Sequence, residues 1–345
     1  MIPRAQLFAR IVSGLLALLL VATIPGGNAQ APIALVATGS SLPEPLYVAW
    51  GDAYHRQHPA IQLRYLPEGT GNSGVKILSG VGDLGGGDAP ILDKQLKEAT
   101  VQILQLPSVL IGMAIVYNIP DTPGDLRLSG PVLADIFLGK VKTWSDPEIT
   151  KLNPEMKLPA APIQVIHRTD GKGSNYILAE YLSKVSPEFL AKAGRGESPK
   201  WPVGTSAGRA QDLDEKVRTT PGAIGYTELQ LAQKATLRVA RIKNAAGEFV
   251  KPSEKTIAAA ALEAKIVDDF RVSLTNGAGK ESYPISSFTW FYVPAKAKDT
   301  ERGRAVADYL GWVYTDGQKI AQDQGYATLP HELLTKVAAK AAGVK

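Results

Sequence analysis

The 345-residue sequence contains no cysteine and only four histidines. Without cysteine there can be no disulfide bond and no thiolate metal site, so packing and hydrogen bonding alone must hold the fold together. A metal site would have to be built mainly from carboxylates, and no such cluster stands out. His55 and His58 are three residues apart but lack an evident third ligand. Long apolar runs are missing after residue 24, so no later segment is expected to span a bilayer.

The one long apolar run lies at the N-terminus. Arg4 and Arg10 form a basic region before the apolar stretch 11–24, and small residues follow up to Ala29. This pattern predicts a signal peptide over residues 1–29, cleaved after Ala29, rather than a retained membrane anchor. Without the two arginines the formal net charge falls from +5 to +3, which helps to attract an anion but does not indicate nucleic-acid binding.

A strand, a glycine-rich loop and a helix follow one another between residues 163 and 182. Residues 163–166 predict a strand, and residues 176–182 have helical spacing. The first amides of a helix have no partner inside it, so they can hold an anion, and Arg168 at the strand end can add a bidentate fork. The alternative is an ordinary turn in which Ser174 only caps the helix.

Similar junctions occur earlier in the chain. A strand over 33–37 leads through small hydroxyl residues into a helix over 46–55, and a strand over 61–65 leads through residues 68–74 into a helix from Val75. The glycine run at 84–87 ends at Asp88, the only charge of that loop. Because α/β sheets bind ligands outside the carboxyl ends of their strands, these loops indicate a site, although many α/β proteins use such turns without binding anything.

Two β-prone segments, 101–118 and 283–293, predict two crossings between two lobes. Lobe 1 would comprise residues 30–111 and 286–345, and lobe 2 residues 112–285, with the ligand in the cleft between them. The remaining helices are predicted at 133–138, 144–152, 210–218, 257–264, 303–314 and 335–345.

Seven motifs, taken in order, resemble those of the PstS family of periplasmic phosphate-binding proteins of ABC transporters. They are TGSSLP (38–43), DLGGGDAP (83–90), DIFLGK (135–140), KLNP (151–154), RTDG (168–171), KWPVG (200–204) and PGAIGY (221–226). The resemblance covers nearly the whole chain after the leader. It implies a two-lobed, type II-like periplasmic-binding-protein fold of α/β class, hinged by two crossing strands. It also implies a periplasmic monomer without a cofactor that binds inorganic phosphate with high affinity and delivers it to an inner-membrane ABC phosphate permease.

The resemblance also implies a set of phosphate-binding residues. They are Ser41, the backbone of Leu42, Asp88, Arg168, Gly173 and Ser174. Asp170 would hold the guanidinium of Arg168. Asp88 would accept a hydrogen bond from a protonated phosphate oxygen, a donor that sulfate lacks near neutral pH, so this carboxylate would favour phosphate.

Two positions depart from the family pattern. Lys172 stands where a small hydroxyl residue is usual, so its ammonium group would contact the ligand or would point into solvent while its N–H faces the cleft. The loop at 69–74 is one residue shorter than the pattern. Spacing counted from Gly69 favours Asn72 as the ligand-binding residue of this loop, whereas the need for a hydroxyl group favours Ser73. Both remain candidates.

Other functions are less well supported. A binding protein for another tetrahedral oxyanion is the main alternative, and a secreted protein that uses this fold in a surface or adhesion role is another. The chain lacks the Gly-x-Ser-x-Gly elbow of a serine hydrolase, so no enzymatic activity is expected. The acidic pairs Asp212/Asp214 and Asp268/Asp269 are interpreted as exposed helix faces.

Overall fold

The computed structural model describes residues 32–297 and 299–344. The predicted signal peptide and its cleavage site after Ala29 lie outside the described residues. Within those residues no helix is both long enough and apolar enough to cross a membrane.

Strands and helices alternate along most of the chain. The strands are β1 (Ile33–Thr38), β2 (Ile61–Leu66), β3 (Leu84–Gly87), β4 (Ile103–Tyr117), β5 (Arg127–Leu128), β6 (Gln164–Arg168), β7 (Thr205–Ala207), β8 (Ala223–Glu228), β9 (Arg238–Val239), β10 (Arg241–Lys243), β11 (Phe249–Val250) and β12 (Ser286–Pro294). The helices are α1 (Glu44–Gln57), α2 (Thr70–Leu78), α3 (Asp93–Lys97), α4 (Gly130–Phe137), α5 (Pro147–Thr150), α6 (Gly173–Val185), α7 (Pro187–Lys192), α8 (Ala210–Thr219), α9 (Leu229–Lys234), α10 (Glu254–Leu262), α11 (Thr300–Trp312), α12 (Gln318–Asp323) and α13 (His331–Ala341). A π-helical turn, Val313–Gly317, joins α11 to α12.

The first half of the main sheet has the strand order β2-β1-β3-β12-β4. Strand β1 runs parallel to β2 and β3, whereas β12 runs antiparallel to β3 and β4. The carboxyl ends of three parallel strands therefore meet at one edge, where β1 leads to α1, β2 leads to α2 and β3 leads to Asp88.

The second half of the sheet is built in the same way. Strand β8 pairs antiparallel with β4 and parallel with β6, which in turn runs parallel to β7. Strand β6 ends at Arg168 and leads into α6. A separate small sheet, with the order β11-β10-β5, was not predicted from the sequence.

Strand β4 belongs to both halves. Its residues up to Gly112 pair with β12, and its residues from Met113 onward pair with β8. Gly112 is opposite Ser286, and β4 changes its pairing partner directly after it. The two-lobed α/β fold predicted from the sequence is confirmed.

Buried aromatic side chains fix α1 on the sheet of the first lobe. The ring of Tyr47 stacks on Trp50 at 5.4 Å between centroids and lies 4.8 Å from that of Phe291 in β12. Trp50 Nε1 donates a hydrogen bond of 2.6 Å to the carbonyl of Gly317. These contacts hold the start of α1, and with it the loop after β1, at the sheet edge.

The helix predicted over 144–152 is shorter in the structure. Only Pro147–Thr150 is helical, because the Asp146 side chain accepts a hydrogen bond of 2.9 Å from the N–H of Glu148 and fixes the start at Pro147. Trp144 lies outside the helix, fully buried, and its Nε1 donates to the carbonyl of Gly222 at 3.1 Å.

Candidate functional site

Asp88 lies directly after β3 and is completely buried. Its N–H donates to Thr70 Oγ1 at 3.2 Å, and the same hydroxyl lies 3.5 Å from Asp88 Oδ2. Within the described residues Asp88 Oδ1 has no hydrogen-bond partner. Burial raises the pKa of Asp88 to about 6, although the nearby hydroxyls of Ser40, Thr289 and Thr70 and the charge of Arg168 oppose this rise. Above that pH the site holds a carboxylate with an unused acceptor.

Helix α6 presents unpaired donors at its start. Ser174 is almost fully buried, and its hydroxyl has no hydrogen-bond partner in the part of the chain that the structure describes. The amides of Gly173, Ser174 and Asn175 also make no hydrogen bond to described residues, as is usual in the first turn of a helix. Together with the helix dipole, these groups favour an anion at this end.

Gly173 brings this helix start against the loops of the first lobe. A Cβ atom built at Gly173 would lie 2.6 Å from both Asp88 Cβ and Thr70 Oγ1 and would also overlap with Asp88 Oδ2. The N–H of Gly71 in α2 donates to the carbonyl of Gly171 at 3.3 Å. The two lobes are therefore in contact around Asp88, and only glycine fits at position 173.

Arg168 supplies a buried positive charge at the end of β6. The side chain is 2% exposed; its Nε donates to the carbonyl of Ala207 at 3.3 Å and its Nη2 to that of Gly208 at 2.8 Å. No described acidic residue forms an ion pair with it within 4.0 Å. Burial lowers its pKa, while the charges of Tyr226, Asp214, Asp212 and Asp88 raise it. A buried guanidinium without a salt bridge is well suited to an anionic ligand.

A polar network orients the backbone around Arg168. The N–H of Arg168 donates to the Tyr226 hydroxyl at 3.0 Å, and that hydroxyl donates to Asn175 Oδ1. Asn175 Nδ2 in turn donates to the carbonyls of Thr169 at 2.7 Å and Glu197 at 3.0 Å. The end of β6 and the start of α6 are thereby fixed relative to each other.

Asp170, predicted to hold the guanidinium, is exposed and forms neither a hydrogen bond nor an ion pair with Arg168. Strand β6 ends at Arg168, so side-chain alternation does not extend to Asp170 and does not direct its carboxylate toward the guanidinium. Among the carboxylates, Asp214 of α8 raises the pKa of Arg168 the most.

Asp214 was interpreted as part of an exposed helix face, and the structure corrects this. It is 4% exposed, and burial raises its pKa to about 6, while the nearby Thr227 hydroxyl and the charge of Arg168 oppose this rise. The spacing of Ala210, Leu213, Asp214 and Val217 along α8 is that of one buried helix face, so the sequence did contain a signal for its burial.

The first junction places Ser40 rather than Ser41 beside Asp88. Ser40 is buried, and its Oγ accepts a hydrogen bond of 3.1 Å from the N–H of Leu42. Ser41 is half-buried, and neither its hydroxyl nor its N–H makes a hydrogen bond to a described residue. Its donors thus remain available, whereas the amide of Leu42 is used locally.

The second junction differs from the sequence-based expectation. Asn72 is exposed and its Nδ2 donates to the carbonyl of Glu68 at 3.1 Å. Ser73 is fully buried, donates to the carbonyl of Thr38 at 2.7 Å and accepts from the N–H of Gly86 at 3.1 Å. The hydroxyl that reaches Asp88 is that of Thr70, which sequence reasoning missed because it placed the helix start at Val75 instead of at Thr70.

Lys172 extends toward the first lobe. It caps α6 through its backbone, and a Cβ atom built at Gly69 would lie 3.2 Å from Lys172 Nζ. Burial, together with the charge of Arg168, lowers the pKa of Lys172. Its ammonium group therefore lies at the edge of the cleft rather than free in solvent.

Polar loops of both lobes converge on one cleft. This arrangement is typical of proteins that bind a small ligand between two lobes. A family model described as a PBP superfamily domain matches residues 26–316. The chain is 36% identical over 309 residues to the phosphate-binding protein PstS of Pasteurella multocida, and the match spans 89% of both chains. It is 33% identical over 318 residues to the protein of the same name from Haemophilus influenzae, spanning 91% of this chain and 93% of that one. The chain therefore belongs to the PstS family of phosphate-binding proteins.

Solved structures share the fold at lower sequence identity. The high affinity periplasmic phosphate-binding protein PfluDING, bound with phosphate, superimposes with a TM-score of 0.71 at 21% identity, over 89% of this chain and 93% of that one. A phosphate-binding protein from Stenotrophomonas maltophilia gives a TM-score of 0.70 at 19% identity, over 89% and 93% of the two chains. These similarities establish the architecture, including its type II-like arrangement of two lobes.

No group of three or more histidine, aspartate or glutamate side chains that could hold a metal ion occurs among residues 32–297 and 299–344. The polar groups of the cleft include hydrogen-bond donors at the start of α6 and the carboxylate of Asp88.

Proposed function

We propose that this protein binds inorganic phosphate in the cleft between its lobes, with high affinity, and delivers it to an ABC-type phosphate permease. The proposal rests on two groups within one buried cleft. Arg168 forms no salt bridge to a described residue, and Asp88 Oδ1 accepts no hydrogen bond from one. Monohydrogen phosphate satisfies both, because it is an anion that also carries one O–H. The names of the relatives, phosphate-binding protein PstS, support the same ligand.

The proposed ligand residues follow from this geometry. Arg168 would pair with two phosphate oxygens, and the amides of α6 with Ser174 would donate to others. Ser41 would donate from the first junction. Asp88 would accept a hydrogen bond from the protonated phosphate oxygen. Thr70 is added to the set predicted from the sequence, and Asn72 and Ser73 become less favoured because both are hydrogen-bonded locally.

Replacing Thr70 tests this revision of the second junction. Thr70→Val is expected to weaken phosphate binding about tenfold, because one buried hydroxyl that contacts Asp88 is lost. Asn72→Ala, two residues further along α2 and on its exposed side, is the matched control and is expected to change the dissociation constant by less than twofold. Isothermal titration calorimetry with phosphate measures both. The reverse order of effects would return the ligand role to Asn72.

Asp88 is proposed to set selectivity. Its ionised carboxylate accepts a hydrogen bond from monohydrogen phosphate, but it would meet only lone pairs on sulfate and repel it. Because the pKa of Asp88 is about 6, this discrimination should be full above that pH and should weaken below it, where the neutral carboxyl group can donate to sulfate.

The Asp88→Asn variant is expected to lose this discrimination. We expect its phosphate affinity to fall by about 10- to 100-fold while sulfate binding becomes measurable, since the amide donates where the carboxylate accepted. The exposed Asp52 of α1, on the same lobe as Asp88, provides the control Asp52→Asn, for which no change is expected. Competition titrations with phosphate, arsenate and sulfate at neutral pH make the measurement. Equal competition by sulfate in the wild type would instead favour a general tetrahedral-oxyanion binder.

The cellular role proposed here follows the leader sequence and the family. Residues 1–29 would direct export and be removed after Ala29, leaving a periplasmic monomer without enzymatic activity, whose lobes comprise residues 30–111 with 286–345 and residues 112–285. Mass spectrometry of the mature protein tests the cleavage site. Release of phosphate from a chromogenic ester would contradict the absence of activity.

A further inference from the structure

Two oppositely charged side chains of the second lobe reach across to the first turn of α2 in the first lobe. A Cβ atom built at Gly71 would lie 2.7 Å from Glu197 Oε2, and one built at Gly69 would lie 3.2 Å from Lys172 Nζ. The Glu197 carboxylate lies against Gly71 and the Lys172 ammonium group against Gly69. They form no ion pair with each other within 4.0 Å. They occupy the mouth of the cleft, where the N–H of Gly71 also donates to the carbonyl of Gly171.

The backbone of Glu197 is firmly attached to the second lobe. Its carbonyl accepts hydrogen bonds from the N–H of Gly171 at 3.0 Å, from the N–H of Lys172 at 3.3 Å and from Asn175 Nδ2 at 3.0 Å. Glu197 therefore moves with the start of α6, and its carboxylate approaches α2 only when the lobes are together. If the lobes separate, the same carboxylate becomes surrounded by water.

In the closed arrangement the Glu197 carboxylate has no hydrogen bond or ion pair with any described residue. The titratable and charged groups that face it from the neighbouring elements are Asp88 after β3, Tyr292 of β12, Tyr176 of α6 and the adjoining Lys172. Burial raises the pKa of Glu197 to about 7, and the charge of Asp88 adds to this rise. Closing the cleft thus places a second carboxylate near Asp88 without giving it a partner.

We propose that Glu197 couples closure of the cleft on phosphate to the uptake of one proton, so that the closed, loaded protein carries Glu197 in its neutral form. This inference rests on the proposed function, because it concerns the same cleft and the same ligand. The proton comes from solvent and is bound by the Glu197 carboxylate. It removes a negative charge from the neighbourhood of both Asp88 and the anionic ligand.

The direction of the pH dependence follows from the two states. In the open form Glu197 has its ordinary pKa, near 4.5, and in the closed form its pKa is about 7. The closed form therefore binds more protons between these values, and phosphate affinity should fall as pH rises through this window and level off above it. Glutamine at this position is permanently neutral, so Glu197→Gln should abolish this part of the pH dependence.

Calorimetric titration of phosphate into wild-type protein and Glu197→Gln tests the proposal. At about pH 4, below both pKa values of Glu197, the two proteins should bind alike, whereas at about pH 8 the variant should bind about 100-fold or more tightly than wild type, because the two pKa values differ by more than two units and each unit corresponds to a factor of ten. Titrations at about pH 6 in two buffers with different ionisation enthalpies should show close to one additional proton taken up by the wild type. The ionisation of phosphate itself is common to both proteins and cancels in the comparison.

Glu188→Gln is the matched control. This carboxylate pairs with Lys140 and Lys192 on the surface of the same lobe, so its removal should leave the pH profile of phosphate binding unchanged. Superimposable profiles for wild type and Glu197→Gln would overturn the proposal while leaving phosphate binding intact. Absence of phosphate binding by the wild type at every pH would instead refute the proposed function and, with it, this inference.

Discussion

The Arg168→Ala variant is expected to bind phosphate about 100-fold or more weakly than the wild type, since removing one member of a buried charge pair costs about 2–5 kcal/mol. Its guanidinium is nearly fully buried, has no salt bridge to a described acidic residue and is held by the carbonyls of Ala207 and Gly208. A bound anion would supply the missing negative charge, and without Arg168 the anion would be desolvated with no cation to balance it.

Calorimetry with phosphate gives the affinity of this variant, and thermal denaturation without ligand shows whether it remains folded. Arg168→Lys keeps the charge but loses the planar fork, so we expect an intermediate loss. Arg218→Ala, which removes an exposed guanidinium paired with Glu215 on α8 of the same lobe, should bind phosphate like the wild type. A folded Arg168→Ala protein with unchanged affinity would mean that the anion site lies elsewhere.

Gly173→Ala is expected to weaken phosphate binding by about 10- to 100-fold, because overpacking a buried contact costs about 1–3 kcal/mol. The added methyl group would overlap with Asp88 and lie 2.6 Å from Thr70 Oγ1, both in the opposite lobe. The three atoms nearest to the added carbon all belong to the first lobe, so this clash arises when the lobes are together. Small-angle scattering in saturating phosphate should therefore show a larger radius of gyration for the variant than for the wild type.

Gly74→Ala is the control for this experiment. Gly74 lies within α2, and a Cβ atom at this position would meet nothing within 4 Å. Alanine should therefore stabilise the helix slightly, by about 0.5–1 kcal/mol, and leave phosphate affinity unchanged. A Gly173→Ala protein that closes and binds like this control would refute the close approach of the lobes at Asp88.

The main architecture could be predicted from the sequence because it depends on repeated local patterns. Apolar strands followed by small polar residues and a helix start place the loop ends at one sheet edge, and this pattern identified Asp88, Arg168 and Ser174 as residues of the cleft. The crossing strands were predicted from two long β-prone segments, and β4 and β12 occupy them. The short strands of the small sheet gave no such pattern, since β5 and β11 have only two residues each.

The errors concern details that depend on tertiary contacts. Asp170 was assigned to the guanidinium of Arg168 by the family resemblance, yet strand β6 ends at Arg168 and the Asp170 side chain is exposed. Thr70 was overlooked because Gly69, with φ of +97°, turns the chain so that the helix begins within the glycine-rich segment. Glu197 had no recognisable motif, and its proximity to Gly71 results from the packing of one lobe against the other.

Strand β4 pairs with β12 as far as Gly112 and with β8 from Met113, so a bend at this point falls between two ladders rather than within one. A ligand as small as phosphate can supply at most about 1.5 kcal/mol of binding free energy per non-hydrogen atom, or about 7.5 kcal/mol for its five such atoms. A hinge that broke several strand hydrogen bonds, at about 1 kcal/mol each, would consume much of that amount. Because the bend lies between two ladders, closure breaks few strand hydrogen bonds. Most of the interaction energy of so small a ligand is then available to slow its dissociation.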